Sequence, residues 1–452
     1  MGNAAIRGAR VGVLVADLDT GQVLLQRRSG RALVPASNQK ILTAAASLDV
    51  WGPAHRFETP VLIDGELADG VLRGSLWIRG SGDPGLVSES LWKLAEELRL
   101  LGLREVTGGI GVDRGLFETL RHHPDWHPLS RRAYHAPNGA LAANYSSFRI
   151  EVEPGPRVGA PARLQVAPRT EYFRLRSDAR TVEGRGRLQI GIQPLADGSG
   201  ERVRIAGSVG RGAGPETYWR SVSMPERYAA SLLREQLEAQ GVRVYGGIRI
   251  GPAPASAREI LRFSGDSLGN LVWKLNKNSN NFIAEQLFLL LGVERFGTPA
   301  GWDKSGRALA EWLERAGLAD RRTVVADGSG LSPRNRISPR TLVGLIRGAA
   351  LAPASGAEFQ SSLPLGSLDG TLRDRRLESV PGIRGKTGHL RAASALSGVI
   401  PLGPERRLAF SVLVNGARGD RASVDAAIDG FVDSLAGSLG AARESAAANS
   451  AP

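Results

Sequence analysis

The pattern of hydrophobic and polar positions predicts that the chain begins with two strands and a helix. Two apolar runs at 11–15 and 23–26 are joined by a turn-rich segment, which is typical of a β-hairpin. Small and apolar residues then follow at 41–48 with the spacing of a buried helix, and Pro35 lies where such a helix could begin. The N-terminal part is therefore predicted to form two strands followed by a helix.

The middle of the chain changes to a pattern of short strands. Strand-like pieces at 55–87 end in the loop-forming composition of 80–86. The segment 88–101 has leucines on one helical face. From about 103 to 255 the sequence predicts short strands, Gly and Pro turns, and one clear helix at 226–239. This long middle region is therefore predicted to be mainly β.

Helical patterning returns in the last third of the chain. Two helices are predicted on either side of a polar loop at 276–281, and the second is predicted to end at Gly292. Further segments, in order, are a helix at 302–316, a helix from Pro339, strands at 382–390, 397–400 and 408–414, and a helix at 424–439. The tail at 441–452 is low in complexity and is predicted to be disordered.

Composition narrows the class of protein. The 452 residues are sufficient for two or three domains, and 42% hydrophobic with 23% charged residues indicates a globular chain. Cysteine is absent, which excludes disulfides, thiol catalysis and Cys-ligated metals. The net charge is +13, but the arginines are scattered rather than gathered in one block, so no nucleic-acid partner is predicted.

The membrane and targeting signals are also weak. No run of 18 apolar residues is present, so we predict at most peripheral membrane association. The first residues lack the basic and apolar regions of a signal peptide. Either the protein stays in the cytoplasm or the chain begins after a removed signal, and the residues alone leave both open.

One motif at the predicted helix start carries candidate chemistry. Ser37 and Lys40 are three residues apart, so they share one face of a helix. An amine this close can take the proton of a serine hydroxyl if burial or a nearby cation lowers its pKa. Taken alone, Ser-x-x-Lys is a common pattern that far more often marks an ordinary helix start with a capping serine and a surface lysine.

Two later motifs change that balance. Ser279-Asn280-Asn281 lies in the predicted interhelical loop, and Lys386-Thr387-Gly388 lies on the predicted strand at 382–390. With Ser37-x-x-Lys40 they form an ordered set that is the signature of penicillin-binding proteins and class A β-lactamases. The set, rather than any single motif, therefore predicts a serine acyl-transfer site.

From about residue 11 to 439 the chain resembles the D-alanyl-D-alanine carboxypeptidases/endopeptidases of the low-molecular-mass, class C penicillin-binding proteins, the penicillin-binding protein 4 or peptidase S13 family. Further family-like stretches lie at 80–86, 327–335 and 363–373. These stretches separate the family from class A β-lactamases, and we find no counterpart of the β-lactamase glutamate loop.

The resemblance implies an α/β multidomain fold. A penicillin-binding, β-lactamase-like transpeptidase domain, with an antiparallel sheet flanked by helices, would carry two inserted mainly-β domains. The expected boundaries are 1–60 and 256–440 for the catalytic domain, 61–87 and 161–255 for inserted domain II, 88–160 for inserted domain III, and 441–452 for the tail.

The resemblance also implies roles for the motif residues. Ser37 is the expected nucleophile, Lys40 the general base kept neutral by Lys386 and partial burial, and Ser279 the donor of a proton to the leaving D-Ala amine. The expected substrate-binding residues are Asn281, Lys386, Thr387, Gly388 and His389, with backbone N–H groups of Ser37 and His389 as the oxyanion hole. The implied partners are peptidoglycan stem peptides ending in D-Ala-D-Ala and β-lactams, in a periplasmic or extracytoplasmic location.

His389 departs from the family pattern. The family usually carries Thr or Ser after Lys-Thr-Gly, so a hydroxyl that could bind the substrate carboxylate is missing. A protonated imidazole could replace it, which predicts that substrate binding tightens toward acidic pH while Lys40 chemistry slows. If the ring instead turns to solvent, only the backbone at this position matters.

No cofactor and no metal are predicted. His122, His123 and His127 lie close together, with His135 not far on, but their spacing fits no standard zinc pattern. The open alternatives to a carboxypeptidase are a β-lactamase-like serine hydrolase and a catalytically weak cell-wall-binding homologue. The residues leave undetermined the third residue of the stem peptide, the balance of carboxypeptidase and endopeptidase activity, and the oligomeric state.

Overall fold

The computed structural model describes residues 4–119, 122–126, 130–403 and 406–448. The chain divides into two compact units. The first unit joins Met1–His55 to Ser267–Pro452, and the inserted unit is Arg56–Asp266. The sequence placed these two boundaries near residues 60 and 256. The further division of the inserted segment into domains II and III stays a prediction.

The strands, numbered in chain order, are β1 (Arg10–Asp17), β2 (Val23–Arg27), β3 (Arg56–Ala68), β4 (Val71–Arg79), β5 (Glu105–Val106), β6 (Ile110–Asp113), β7 (Ser147–Glu153), β8 (Arg163–Ala167), β9 (Phe173–Ser177), β10 (Arg180–Val182), β11 (Leu188–Pro194), β12 (Glu201–Gly210), β13 (Glu216–Ser221), β14 (Arg243–Val244), β15 (Ile248–Ile250), β16 (Arg258–Ser267), β17 (Arg384–Leu390), β18 (Ala393–Pro401) and β19 (Arg407–Asn415). The helices are α1 (Gln39–Trp51), α2 (Ser88–Leu100), α3 (Pro225–Ala239), α4 (Leu268–Lys277), α5 (Asn281–Phe296), α6 (Trp302–Arg315), α7 (Pro339–Leu351), α8 (Gly356–Ser362) and α9 (Arg421–Ala448).

An antiparallel five-stranded sheet lies in the first unit, in the order β17-β18-β19-β1-β2. Its central strands are nearly continuous apolar runs, as expected of strands covered on both faces. On one face, Val13, Phe410 and Val412 pack in a core that includes Val432 of α9. The edge strand β17 carries the Lys-Thr-Gly motif.

The inserted unit is built from three sheets. One has seven strands and follows the path β14-β5-β4-β3-β16, with β6 pairing to β4 and β15. A second has the order β13-β7-β8, and a third has the order β10-β12-β11 with β9 also pairing to β12. Buried residues of these sheets form one core with α2 and α3, including Ile78, Phe148, Val203 and Leu233.

Most predicted elements of the first unit are present, but two helices end later than expected. The helix α5 continues past Gly292 because that glycine packs against Ser305, where a Cβ would lie 2.3 Å from the Ser305 hydroxyl; α5 ends at Gly297, with φ +72°. The helix α9 continues through Ala448. Its Ala-rich end favours helix, whereas we predicted a disordered tail from 441; residues 449–452 lie outside the described part.

None of the helices in the described ranges has both the length and the hydrophobicity needed to cross a membrane.

Candidate active site

Ser37 lies in a short 3-10 helix, Ala36–Asn38, that leads directly into α1. Ser37 is half-buried, while Lys40 in the first turn of α1 is completely buried. Ala36 has φ +48°, in the left-handed region that non-glycine residues rarely adopt. The predicted helix start is therefore present, and its entry is a strained turn that presents Ser37 beside Lys40.

Lys40 contacts three oxygen atoms. Its Nζ lies 3.0 Å from Ser37 Oγ, 2.7 Å from Asn281 Oδ1 and 2.7 Å from the carbonyl oxygen of Ser329. The amide and carbonyl oxygens accept hydrogen bonds and cannot donate them. In a neutral amine these two acceptors take the two N–H groups, and the lone pair then faces the Ser37 hydroxyl.

Burial is the main reason why the amine of Lys40 can be neutral. It lowers the pKa of Lys40 to about 7, while the charges of Asp327 and Glu285 act in the opposite direction. The family resemblance led us to expect that Lys386 and partial burial keep Lys40 neutral. In the structure the burial is complete, and the two nearby carboxyl groups keep the pKa from falling further.

Glu285 and Asp327 also fix the loop that supplies the Ser329 carbonyl. Glu285 accepts hydrogen bonds from the backbone N–H groups of Gly328 and Ser329 at 3.2 and 2.7 Å, and Asp327 accepts one from Gly330 at 2.8 Å. Burial and the charge of Asp327 raise the pKa of Glu285, and the hydrogen bonds from the loop oppose this rise. These buried carboxyl groups therefore position the Ser329 carbonyl oxygen as a hydrogen-bond acceptor for Lys40.

Gly330 lets this loop approach the 3-10 helix that carries Ser37. Its φ is +83°, and a Cβ there would lie only 1.9 Å from the carbonyl oxygen of Ala36. Any other residue would therefore push the 327–335 loop away from the 3-10 helix that carries Ser37.

The Ser279-Asn280-Asn281 motif lies next to the Lys386-Thr387-Gly388 motif. Ser279 has φ +50° in the loop between α4 and α5, and Asn280 caps α5 by accepting a hydrogen bond from the N–H of Ile283 at 3.1 Å. Lys386 Nζ lies 2.9 Å from Ser279 Oγ. Burial, and then the charge of Lys40, lowers the pKa of Lys386 well below its usual value.

The edge strand β17 is fastened to the 3-10 helix. Asn38 Nδ2 donates to the carbonyl oxygen of Lys386 at 2.8 Å. A Cβ at Gly388 would lie 2.7 Å from the carbonyl oxygen of Pro35, so glycine is required for this approach. The backbone that approaches this strand closely is the segment before Ser37.

A second loop supports β17 from the other side. Thr387 Oγ1 donates to Thr371 Oγ1 at 2.8 Å. The loop that carries Thr371 is held by Lys277 at the end of α4, whose Nζ lies 2.6 and 2.8 Å from the carboxylate oxygens of Asp369 and 2.9 Å from the Leu363 carbonyl. The family-like stretch at 363–373 therefore positions Thr387.

Both ring nitrogens of His389 have partners. Nε2 lies 2.8 and 2.9 Å from the carboxylate oxygens of Asp425, and Arg421 Nη2 lies 3.1 Å from Nδ1. Although burial alone would raise it, the hydrogen bond to His389 and the charge of Arg375 hold the pKa of Asp425 below its usual range. The ring is therefore held by Asp425 and Arg421 and is not free in solvent. Direct contact with a substrate carboxylate stays a prediction.

The structure thus brings Ser37, Lys40 and Asn281 into contact and joins Ser279 to Lys386. Strand alternation in β17 places Thr387 and His389 on the same face. Sequence reasoning missed Glu285, Asp327, Thr371, Asp425 and Arg421 as supporting residues. Glu285 lies one helical turn after Asn281, and this spacing was a usable signal for a side chain on the same face.

In the described ranges no group of three or more His, Asp or Glu residues is arranged to hold a metal ion. His122 and His123 flank Trp126, with ring centroids 6.4 and 6.2 Å away, and His135 stacks on the same ring. These histidines belong to an aromatic cluster. His127 lies outside the described residues.

The sequence profile of the D-Ala-D-Ala carboxypeptidase 3 (S13) family matches residues 2–435. The D-alanyl-D-alanine carboxypeptidase of Actinomadura sp. (strain R39) is 33% identical over 441 residues, which cover 92% of this chain and 79% of the relative. The D-alanyl-D-alanine carboxypeptidase DacB of Haemophilus influenzae is 24% identical, with coverage of 90% and 86%.

The fold has a close counterpart among solved structures. The crystal structure of penicillin binding protein 4 from Haemophilus influenzae superposes with a TM-score of 0.81 at 23% identity, covering 95% of this chain and 97% of that chain. This likeness confirms the predicted α/β fold of the penicillin-binding type.

Proposed function

The chain belongs to the D-Ala-D-Ala carboxypeptidase 3 (S13) family and is a D-Ala-D-Ala carboxypeptidase, and we propose that Ser37 is its nucleophile and Lys40 its general base. The observation that carries this assignment is the 3.0 Å approach of Lys40 Nζ to Ser37 Oγ, in a site where burial lowers the pKa of the amine to about 7. Such an amine is available as a base at neutral pH.

In the proposed acylation, Ser37 Oγ attacks the carbonyl carbon of the penultimate D-Ala while its proton moves to the Lys40 amine. Asn281 Oδ1 and the Ser329 carbonyl hold the two remaining N–H groups, which supports a lone pair directed at the hydroxyl. The C–N bond then breaks, and the terminal D-Ala leaves as an amine that needs a proton.

Ser279 is the proposed donor of that proton. Its Oγ lies 2.9 Å from Lys386 Nζ, so a proton given to the leaving amine can be replaced from the lysine. The same proton path would run in reverse when water attacks the acyl-enzyme. Asn281, whose Oδ1 contacts Lys40, is the proposed holder of the substrate amide through its NH₂ group.

The proposed docking site for the terminal carboxylate is formed by Lys386 and Thr387, with Gly388 and His389 alongside. Burial disfavours the charged form of Lys386 in the free enzyme. A bound carboxylate supplies an opposite charge and so favours the ammonium form. Backbone N–H groups of Ser37 and His389 are the proposed oxyanion hole, which would not depend on the side chain at 389.

The enzyme acts on cell-wall peptides. We assign as substrates peptidoglycan stem peptides ending in D-Ala-D-Ala, with endopeptidase cleavage as a second activity of the same site. β-Lactams would acylate Ser37 because their strained amide reaches the same nucleophile. Because its substrate lies outside the cytoplasmic membrane, we place the enzyme in the periplasm or another extracytoplasmic space.

The test is intact mass spectrometry after incubation with benzylpenicillin, followed by peptide mapping. We expect one covalent adduct, on Ser37, and no adduct and no D-Ala release from Ser37→Ala, with the melting temperature unchanged. An adduct retained by Ser37→Ala would overturn the assignment. Rapid loss of the wild-type adduct would instead indicate the β-lactamase-like alternative.

A further inference from the structure

Four arginines of the inserted unit lie on one face of a sheet. The register pairs Arg202 of β12 with Arg174 of β9 and pairs Arg204 with Arg176. Paired residues of neighbouring strands point to the same face, as do residues two apart along one strand. The alternate residues Val203 and Ile205 are buried in the core, so the four arginines, all exposed, lie on the solvent face. We call this surface the arginine face.

This arrangement is unfavourable to folding without an external partner. Like charges directly opposite one another destabilise a sheet. Asp178 compensates one pair, with its carboxylate 2.8 Å from Arg204 and 3.7 Å from Arg176, and in the other pair the charge of Arg174 interacts with that of Asp197. Arg202 has no ion-pair partner in the part of the chain that the structure describes. Residues 173–211 contain eight arginines against four acidic residues, so the positive charge predominates locally.

The arginine face has the shape of a ligand groove. Arg176, Arg202 and Arg204 line a cavity of about 490 Å³ together with Gln189, Gly191 and Gln193 of β11. Gly191 pairs with Arg204, and a Cβ at Gly191 would have no neighbouring atom closer than 3.9 Å. A bare glycine thus leaves space in the centre, with amides on one side and guanidinium groups on the other.

The chemistry of the groove selects a carboxylate-bearing polymer. Guanidinium groups bind carboxylates through two parallel hydrogen bonds, and the flanking amides can both donate to and accept from peptide groups. Uncross-linked peptidoglycan carries a carboxylate at the end of each stem peptide, so one strand presents many such groups. Several weak contacts to one strand add up through effective concentration.

We propose that the arginine face binds the carboxylate groups of peptidoglycan strands and so holds the polymeric substrate. This inference rests on the proposed function, because it takes the substrate class from it. It concerns a surface of the inserted unit alone. Loss of the surface therefore weakens binding to the polymer without changing acyl transfer to Ser37.

The test compares binding to insoluble peptidoglycan with turnover of a short soluble peptide ending in D-Ala-D-Ala. The variants are Arg174→Gln/Arg202→Gln, which removes one arginine pair, and Gly191→Leu, which fills the groove. The matched control is Arg114→Gln/Arg258→Gln, because both arginines are exposed in the same unit and lie outside these strands. The control removes the same charge.

In co-sedimentation we expect both groove variants to bind peptidoglycan roughly tenfold more weakly than the wild type and the control. The wild-type binding should weaken with added salt, and chemical amidation of the peptidoglycan carboxylates should abolish it. Soluble-peptide kcat/KM and penicillin labelling should be equal in all four proteins. Equal sedimentation of wild type and groove variants would overturn the proposal.

Two further outcomes separate the possible causes. Peptidoglycan stripped of attached phosphate polymers should still bind, and loss of binding on stripping would overturn the proposal in favour of a phosphate ligand. Absence of penicillin labelling in the wild type would overturn the proposed function instead. Since Arg174 and Arg202 lie opposite each other, Arg174→Gln/Arg202→Gln relieves repulsion and should not melt at a lower temperature than the wild type.

Discussion

Lys40 shows how the surroundings of one side chain decide its chemistry. An exposed lysine is protonated at neutral pH, but complete burial lowers the pKa of Lys40 to about 7. Ser-x-x-Lys predicts the pair of Ser37 and Lys40 only together with the two later motifs. The motifs do not identify Asp327, which comes near Lys40 only through the folding of the 327–335 loop, and the local signal for Glu285 is its position one helical turn after Asn281.

The pKa of Lys40 predicts the pH dependence of acylation. Only the neutral amine accepts the Ser37 proton, and its population grows as pH rises through about 7, so the acylation rate should rise and then level off. Lys40→Arg should lower the rate by several orders of magnitude, because a guanidinium stays protonated. Stopped-flow acylation by penicillin measures both, with Lys93→Arg as an exposed control. A flat profile together with an active Lys40→Arg enzyme would contradict the role as base.

His389 is a second case in which neighbours modify the expectation from sequence. The residue alone suggested a proton switch that tightens substrate binding in acid. The structure engages both ring nitrogens, with Asp425 on one side and Arg421 on the other. A charge gained by the ring is then balanced by Asp425 instead of acting mainly on the substrate.

We therefore predict that His389→Thr gives a KM that is lower than that of the wild type and has the same pH dependence. Threonine restores a hydroxyl on the Thr387 face of β17, and the proposed oxyanion hole uses only the backbone. Penicillin acylation at alkaline pH should be unchanged. KM measured from about pH 5 to about pH 9 for both proteins decides this. A wild-type KM that falls in acid, with loss of that fall in the variant, would restore the proton switch.

The elements around the site differ in how well the sequence predicts them. The sequence predicts helix α1 after Ser37, the helix–loop–helix around Ser279 and the edge strand β17, because periodicity, caps and glycines mark them locally. The short helix α8 and the support of Thr387 by Thr371 were not predicted. These features depend on contacts between segments, such as Lys277 with Asp369, which a linear pattern does not contain.

Changing the Lys277–Asp369 pair tests whether the loop that carries Thr371 supports Thr387. Lys277 is almost fully buried, and Asp369 is 40% exposed, so Asp369→Asn leaves a buried ammonium without its counter-charge. We expect a loss of about 1–2 kcal/mol of stability, reduced by the exposure of Asp369, and a higher KM with a smaller change in kcat. Thermal melting and steady-state kinetics measure the two effects. Asp374→Asn, at an exposed position of the same loop, should change neither.

The stability that the Lys277–Asp369 pair contributes should decrease as the pH falls. Although burial acts to raise it, the hydrogen bond from Lys277 holds the pKa of Asp369 below its usual value. A carboxyl whose pKa is lower in the folded state stabilises the protein above its unfolded-state pKa, and this stabilisation disappears as pH falls through the folded-state value. The difference in melting temperature between wild type and Asp369→Asn should therefore shrink in acid. A constant difference would mean that the ion pair is not its cause.

At the scale of the whole chain, the sequence predicts a long inserted interval because all three motifs lie outside it. The composition switch near residue 55 and the return of helices near 260 led us to predict boundaries near 60 and 256, and the structure divides the chain after His55 and after Asp266. The inner arrangement of three sheets could not be predicted. Strand pairs such as β4 with β6 and β12 with β9 are parallel and non-sequential, and their partners leave no local mark.

The last prediction is that the first unit alone is acylated by penicillin. Residues that contact Ser37 and Lys40 in the described structure come from Met1–His55 and Ser267–Pro452. The two cut ends already lie together, because Leu268 donates to the His55 carbonyl at 2.8 Å. Replacing Arg56–Asp266 by a short Gly-Ser linker should therefore preserve the site.

The deletion protein should gain one benzylpenicillin adduct by intact mass, and its Ser37→Ala version should gain none. Circular dichroism reports whether the deletion protein is folded, and a folded product that does not label would contradict the prediction. Peptide mapping of the labelled full-length chain gives an independent reading that does not depend on the solubility of the deletion protein. An adduct found between Arg56 and Asp266 in the full-length chain would show that the inserted unit supplies a nucleophile, because the acyl group stays on the residue that attacked the β-lactam.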